Sequence, residues 1–229
     1  MHGNASERGT REFTPALGRA CLTPLYDTAI GLFTRERKWR DAMVRAAALE
    51  PSDRVIDVGC GTGSLLRSMI IDCPQADFIG VEPDREALAI ARKKLGPSAQ
   101  LVGWHKGFLD SLDLHGDKRA TKIVSSLVLH QVPGSEKRAI LEQMNALLSP
   151  RGSVIVADYM RQETRLMRAM FRGTVQLLDG QEDTQPSVDG IVEAHLCEIF
   201  DDAQRLMVFP TVTGAISLWR GYKKEITEK

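Results

Sequence analysis

The stretch Asp57-Val58-Gly59-Cys60-Gly61-Thr62-Gly63-Ser64 is where residue types and spacing first point to chemistry. Three glycines at alternate positions follow an apolar run and precede a helical pattern. Such a chain can turn sharply and bring bare backbone amides against a ligand. Nineteen residues after Gly63, Glu82 ends the next apolar run, where a carboxylate can accept both hydroxyls of a ribose. Asp57, just before the loop, would repel a pyrophosphate and suits a cationic ligand. A dinucleotide site uses similar logic, so the glycines alone do not choose the cofactor. The spacing here is G-x-G-x-G, with Ser64 in the place of the last glycine of the dinucleotide fingerprint, and no G-x-x-x-x-G-K-[ST] loop occurs. The plain alternative is a tight turn in an α/β protein. Histidines and cysteines show no metal-ligand spacing, so no metal is expected.

The elements that must position these groups alternate regularly. Apolar runs at Val55–Val58, Phe78–Val81, Ile123–Leu129 and Val154–Ala157 read as strands, and helical patterns follow at Ser64–Ile71, Asp84–Leu95 and Glu136–Leu148. A further helix is expected over Thr34–Leu49. Asp84 can cap one helix and Gly96 end it in a left-handed conformation, while Ser135 can cap another. The strands are continuous apolar runs, as expected when helices cover both faces of a parallel sheet. The prediction is an α/β fold with an open, doubly wound, mostly parallel sheet. After Asp158 come two helical stretches, Arg161–Leu178 and Ser187–Ile199, then strands at Arg205–Phe209 and Ala215–Tyr222 that should pair antiparallel. His195 lies on the apolar stripe of the second stretch and reads as a packing histidine with its polar atoms satisfied.

The glycine loop and Gly80-Val81-Glu82-Pro83-Asp84, taken with Ile123–Pro133, Asn145–Ser153 and Thr213–Trp219, resemble the motifs of class I S-adenosylmethionine-dependent methyltransferases. The resemblance covers roughly residues 36–160 and, more weakly, the C-terminus; within the family it is closest to small-molecule methyltransferases of the quinone-biosynthesis type. It implies a seven-stranded Rossmann-like sheet with a C-terminal antiparallel hairpin and helical lid segments. It also implies S-adenosyl-L-methionine as cofactor, its methionine part over Gly59, Cys60, Gly61 and Gly63 near Asp57 and its ribose on Glu82 beside Pro83. Ser125 and Ser126 would approach the methionine end. Tyr26, in Thr23-Pro24-Leu25-Tyr26-Asp27, resembles part of a cofactor-covering segment. The family's third-strand loop often reads Gly-Asp-Ala; here it is Gly107-Phe108-Leu109-Asp110. Phe108 and Leu109 would flank adenine and Asp110 take its N6 hydrogen bond, or Phe108 is core and Asp110 caps a turn. One domain, 1–229, would divide into an N-terminal cap segment (1–35), a cofactor-binding core (36–160), a helical substrate lid (161–200) and a closing hairpin (201–229).

The implied reaction is in-line methyl transfer to a small-molecule metabolite, which requires a nucleophile aligned with the methyl group and water excluded. His130, following the fourth strand, is the candidate general base; a histidine that shapes the loop is the alternative. Tyr159, next to Asp158 at a strand end, is a candidate to face substrate. Arg161, Arg165, Arg168 and Arg172 recur at helical spacing, so Arg165 and Arg168 could meet an anionic substrate, or the four form a solvated face. Leu166, Met170, Thr174 and Leu177 trace an apolar stripe that would cover the pocket, with Gly173 as a hinge. Two other readings stay open: methylation of RNA, and an inactive cofactor-binding partner subunit. Thirty Lys+Arg balance thirty Asp+Glu, which counts against a globally basic nucleic-acid binder while leaving a local basic patch open, and no nucleic-acid partner is expected. Hydrophobic residues are 43% of 229, enough for a substantial core. No secretory signal, membrane span or C-x-x-C pair is visible, and the expectation is a cytoplasmic protein.

Overall fold

Neighbouring residues of each central strand face opposite layers of core in this computed structural model, which describes residues 36–114 and 118–224. Helix α1 (Glu36–Ala47) leads into β1 (Arg54–Val58), α2 (Ser64–Asp72), β2 (Asp77–Glu82), α3 (Arg85–Leu95), β3 (Val102–Lys106), β4 (Ala120–Ser126), α4 (Gly134–Leu147) and β5 (Leu148–Tyr159). Four short helices follow, α5 (Arg165–Gly173), α6 (Val175–Asp179), α7 (Gln181–Val188) and α8 (Ile191–Ile199), and then β6 (Asp201–Thr211) and β7 (Gly214–Tyr222).

The seven strands form one sheet in the order β3-β2-β1-β4-β5-β7-β6. Strands β1 to β5 pair in parallel, and β7 runs antiparallel to both β5 and β6. On one face Val55, Val124, Ile155 and Leu218 pack with Trp39 and Met43 of α1 and Leu66 and Met69 of α2. On the other, Ile56, Ile123, Val154 and Val156 pack with Leu141 and Met144 of α4 and Leu196 of α8. This is the doubly wound fold and closing hairpin expected from the sequence.

The differences are local. Strand β3 escapes an apolar-run search because it is the sheet edge, with Val102 its only fully buried residue. The run Ile123–Leu129 is strand only to Ser126, because Leu127 turns left-handed at φ 56°. Asp84 does cap α3, accepting from the Glu86 N–H at 2.7 Å, and Gly96 ends it at positive φ. Ser135 is not a cap: α4 already starts at Gly134, behind Pro133. Arg161–Leu178 is not one helix. It is irregular before Thr164, whose hydroxyl accepts the Met167 N–H, and breaks at Thr174 rather than hinging at Gly173. The second stretch begins earlier than Ser187, at Gln181, and is divided by Gly190 at φ 94°. His195 is half-buried and its Nδ1 has no partner, so it is not the satisfied packing residue expected.

Replacing Asp84 with Ala leaves the Glu86 N–H at the start of α3 without its acceptor and should cost about 1 kcal/mol. Urea denaturation will read this as a lower midpoint at unchanged slope; an unchanged midpoint would show the cap to be idle.

Candidate functional site

The strand order reverses between β1 and β4, one continuing to β2 and β3 and the other to β5. In an open parallel sheet the crevice beyond that reversal is where ligands bind. The loops after β1 and β4 are its two walls.

In the first wall Gly59, Gly61 and Gly63 have φ of 69°, 50° and 74°. A Cβ on Gly59 would lie 2.3 Å from Val128 Cγ2 and one on Gly63 2.9 Å from Ala91 Cβ, so packing demands glycine at both. Gly61 differs, with no atom within 4 Å of its would-be Cβ: its bare face looks onto open space. Glu82 is 8% exposed. Its Oε2 accepts the Gly61 N–H and its Oε1 the Asp84 N–H, both at 3.0 Å. Burial raises its pKa and the two amides partly offset that. Each oxygen keeps a lone pair for another donor. Pro83 is half-buried between them; Cys60 is buried and its thiol is pushed up by burial and by the nearby Asp57 and Glu82 carboxylates.

Asp57 is fully buried and neither of its oxygens has a hydrogen-bond partner among the described residues. Burial pushes its pKa up to about 7, against the opposing pull of the Arg40 guanidinium. Arg40, on α1, pairs with Glu36 yet leaves Nε unpartnered. An unsatisfied buried carboxylate is costly unless a donor reaches it. Together with Arg40 it offers the two poles that a zwitterionic amino-acid group requires. The residues therefore fit S-adenosylmethionine: an acid for its ammonium, an open amide-lined glycine turn, and an acid at the end of β2 for its ribose.

The loop after β3 contributes unevenly. Phe108 is exposed, Asp110 is exposed, and Leu109 is buried in the core rather than presented as a face for adenine. The end of β4 is likewise split: the Ser125 hydroxyl donates to Val58 O at 3.0 Å inside the sheet, and Ser126 is half-buried. Tyr26 lies outside the described residues.

His130 is buried in the second wall. Its Nδ1–H donates to Asp158 Oδ1 at 2.6 Å, and its Nε2 lies 3.4 Å from Asp179 Oδ2. Burial alone would lower its pKa, but the two carboxylates raise it to about 9. An imidazolium with both nitrogens facing carboxylates has no free lone pair, so His130 is not presented as a general base; it fits the loop-shaping alternative. The Asp158 carboxylate also accepts the N–H groups of Val128, Leu129 and Tyr159. The Tyr159 ring stands edge-on to His130 and tilted to Phe171, at 5.3 Å from each. Its hydroxyl meets Thr213 Oγ1 at 2.5 Å, and burial pushes its pKa up to about 12.

Three of the four arginines form the solvated face that is one of the two expectations, and the fourth does not join it. Arg161 precedes the helix and donates to Asp189 O, whereas Arg165, Arg168 and Arg172 are exposed on α5. A 290 Å³ surface cleft lies between Arg161, Gln162, Glu163 and Arg168 on one side and Val188 and Asp189 on the other. The apolar stripe is also turned outward, with Leu166 70% and Leu177 78% exposed; Phe171 makes the burial instead. Sequence reasoning missed Arg40, Asp179 and Lys137. For Lys137 a signal existed: it sits one turn before Leu141 and two before Met144, on the buried face of α4. Among the described residues no cluster of three His, Cys, Asp or Glu side chains could hold a metal, and no helix is long and apolar enough to cross a membrane.

This sheet order, with a glycine turn after β1 and an acid ending β2, defines an S-adenosylmethionine-dependent methyltransferase of the Rossmann-like class. The chain belongs to the methyltransferase domain family, which matches residues 33–206. It is 25% identical over 171 residues to a ubiquinone/menaquinone biosynthesis C-methyltransferase of Syntrophotalea carbinolica, covering 74% of this chain and 70% of the relative. It is 28% identical over 154 residues to a 2-phytyl-1,4-naphtoquinone methyltransferase of Synechococcus elongatus, covering 64% of each. The fold is shared with the YcgJ protein of Bacillus subtilis (TM-score 0.64, 16% identity, 81% of this chain and 98% of that one). The N-methyltransferase NodS of Bradyrhizobium japonicum is similar too (TM-score 0.61, 16% identity, 83% and 97%).

Because the His130 pKa rises from 6.5 to about 9 on folding, its charge contributes stability that is fully present below pH 6.5 and lost as pH climbs through 9. Lys137, lowered from 10.5 to about 8, makes stability rise between those two pH values. His130→Gln should therefore cost most at pH 6, roughly 3–5 kcal/mol for a broken buried pair, with the deficit shrinking toward pH 10. Denaturation of both proteins across that range tests it, and a deficit independent of pH refutes it.

Proposed function

We propose that the protein moves a methyl group from S-adenosylmethionine to a ring carbon of a small quinol-type metabolite. The observation that carries the donor half is the buried, unpartnered Asp57 facing Arg40 beside the open turn at Gly61. Asp57 takes the cofactor's ammonium and Arg40 its carboxylate, Gly59, Cys60, Gly61 and Gly63 line its methionine part, and Glu82, flanked by Pro83, holds the ribose hydroxyls. Phe108 and the Leu109–Asp110 backbone flank adenine, with Asp110 at its edge; Ser125 and Ser126 border the methionine end through their backbone. When bound, S-adenosylmethionine supplies a methyl group already activated by its sulfonium. The remaining task of the chain is alignment and exclusion of water.

The acceptor half is supported by the quinone relatives, which include a demethylmenaquinone methyltransferase of Deinococcus radiodurans that is 24% identical over 156 residues. It is also supported by the adjoining rings of Tyr159 and Phe171, an aromatic surface suited to a flat ring, which His130 meets edge-on. In this reading Tyr159 offers its ring and a neutral hydroxyl to the acceptor, and Arg165 and Arg168 stand at the rim for an anionic substituent. His130 orients this surface without taking the acceptor's proton, which passes to solvent once the new ring C–C bond has replaced the S–C bond and S-adenosylhomocysteine is left. Residues 1–229 act as one domain: a cap segment (1–35) carrying Tyr26, the core (36–160), the lid (161–200) and the hairpin (201–229). The RNA reading is weaker, since an Synechococcus ribosomal RNA methyltransferase matches only 37% of this chain. The proposal also places the enzyme in the cytoplasm, in keeping with free Cys60, Cys73 and Cys197.

Asp57 must be ionised to hold an ammonium, and its free-state pKa is about 7. Calorimetry should find S-adenosylhomocysteine affinity falling by up to about tenfold per pH unit below 7. Asp57→Asn should bind weakly at every pH with that dependence gone; a wild-type profile in the variant sinks the assignment.

Gly61→Val places a branched side chain at positive φ in the space the cofactor needs and should lower affinity at least about a hundredfold, roughly 3 kcal/mol. Normal binding by that folded variant would put the cofactor elsewhere. Methyl transfer from labelled cofactor to reduced 1,4-naphthoquinones tests the acceptor class directly.

A further inference from the structure

Lys137 is a lysine with no solvent exposure that the methyl-transfer reading leaves unused. Its ammonium donates to the carbonyls of Leu129 (2.6 Å), Val132 and His130 (3.3 Å) in the loop after β4, and to Asp183 O (2.9 Å) in α7. A second buried cation, His130, reaches from the same loop to Asp179, the last residue of α6. The two lid acceptors thus sit on either side of Gly180, whose φ of 86° and ψ of 150° form the corner between α6 and α7. Besides these contacts the corner buries polar Gln176, Thr184 and Ser187, but its apolar anchorage is small. Val175 and Val188 are its only buried hydrophobic residues, while Leu177 and Leu178 are 78% and 62% exposed. Apolar burial usually fastens a helix to its core; here the attachment is charge-assisted and concentrated at one point.

The far side of the same loop lies against the cofactor wall. Val128 fills the space that a Gly59 side chain would take, and Leu127 is held at φ 56° with its N–H donating to Ala157 O at 2.9 Å. Asp158 takes the next two N–H groups. Residues 127–132 are therefore a braced spacer between the glycine turn and the lid.

We propose that Asp179 and Lys137 are positioning residues that clip the α6–α7 corner onto this spacer and so set the lid's distance from the methyl group. Neither touches the reacting atoms. Asp179 acts through His130, and Lys137 acts through backbone carbonyls on both sides of the junction. The clip concerns where the lid sits, whatever the acceptor proves to be.

Amide hydrogen exchange on the full chain saturated with S-adenosylhomocysteine tests this. Asp179→Asn should lower protection across residues 175–188 about tenfold, leave β1, β4 and β5 unchanged, and keep S-adenosylhomocysteine affinity within about twofold of wild type. Asp179→Glu, which retains the charge, should recover most of the protection. Lys137→Met should loosen the same segment together with 129–132; if it fails to fold, Asp179→Asn still decides. With reduced 1,4-naphthoquinone as acceptor, Asp179→Asn should raise KM at least threefold and leave kcat within twofold. Unchanged protection over 175–188, or a loss spread equally over the sheet, overturns the clip. Absence of transfer to the naphthoquinol overturns only the acceptor class, because the exchange result does not depend on it.

Discussion

A carboxylate buried at the carboxyl end of β5 organises the crevice. Asp158 accepts three consecutive-loop and strand amides, from Val128, Leu129 and Tyr159, and the imidazole of His130. With no solvent to share the charge, each of these donors is needed, and together they bend the chain away from β4 at the point where the sheet reverses order. Remove that acid and four donors lose their acceptor, among them the N–H of Val128, the residue that backs Gly59. The loop that backs the glycine turn and the imidazole that faces Asp179 are both held by this one group.

Asp57 and Asp158 make an instructive pair because each is almost fully buried, on neighbouring regions of one sheet, yet they are treated in opposite ways. Asp158 is surrounded by donors and is used up by the fold. Asp57 has none among the described residues, and its pKa is pushed up to about 7. A fold gains nothing from leaving a carboxylate in that state, so the vacancy in its hydrogen bonding is informative about a ligand in a way that Asp158 is not. The same contrast separates the glycines. Gly59 and Gly63 are enforced by neighbours within the protein, whereas Gly61 faces open space and is enforced by what must approach it.

The sheet and the glycine turn were legible because both rest on local pattern: continuous apolar runs for strands covered on two faces, and a periodic glycine spacing between a run and a helix. Edge strand β3 was not, since an edge needs little apolar surface. The lid was misread for a related reason. Helical spacing of Arg161, Arg165, Arg168 and Arg172 is a property of a helix only if the helix exists, and Thr164 starts it after Arg161 has already turned to Asp189. His130 could be placed at the crevice from its position after β4, but its chemistry depends on Asp179, nearly fifty residues away, which no short-range pattern contains. Arg40 was hidden likewise: its meaning comes from Asp57, across the α1–β1 packing.

That dependence on distant partners follows from how the lid is fastened. A helix held by an apolar stripe announces itself in the sequence through its period, and breaking it requires stripping many contacts. The corner between α6 and α7 instead presents a carboxylate and a carbonyl to two buried cations, and in the proposed clip these polar contacts decide its position. Such an attachment has a steep geometric optimum: the charges are paired only when the corner sits where it does, and a small shift leaves them unpaired in a dry interior. A segment proposed to cover the acceptor at a fixed distance from the methyl group would benefit from that steepness, whereas exposed Leu177 and Leu178 show that burial is not what this segment maximises. Placement rather than stability is what the polar junction supplies.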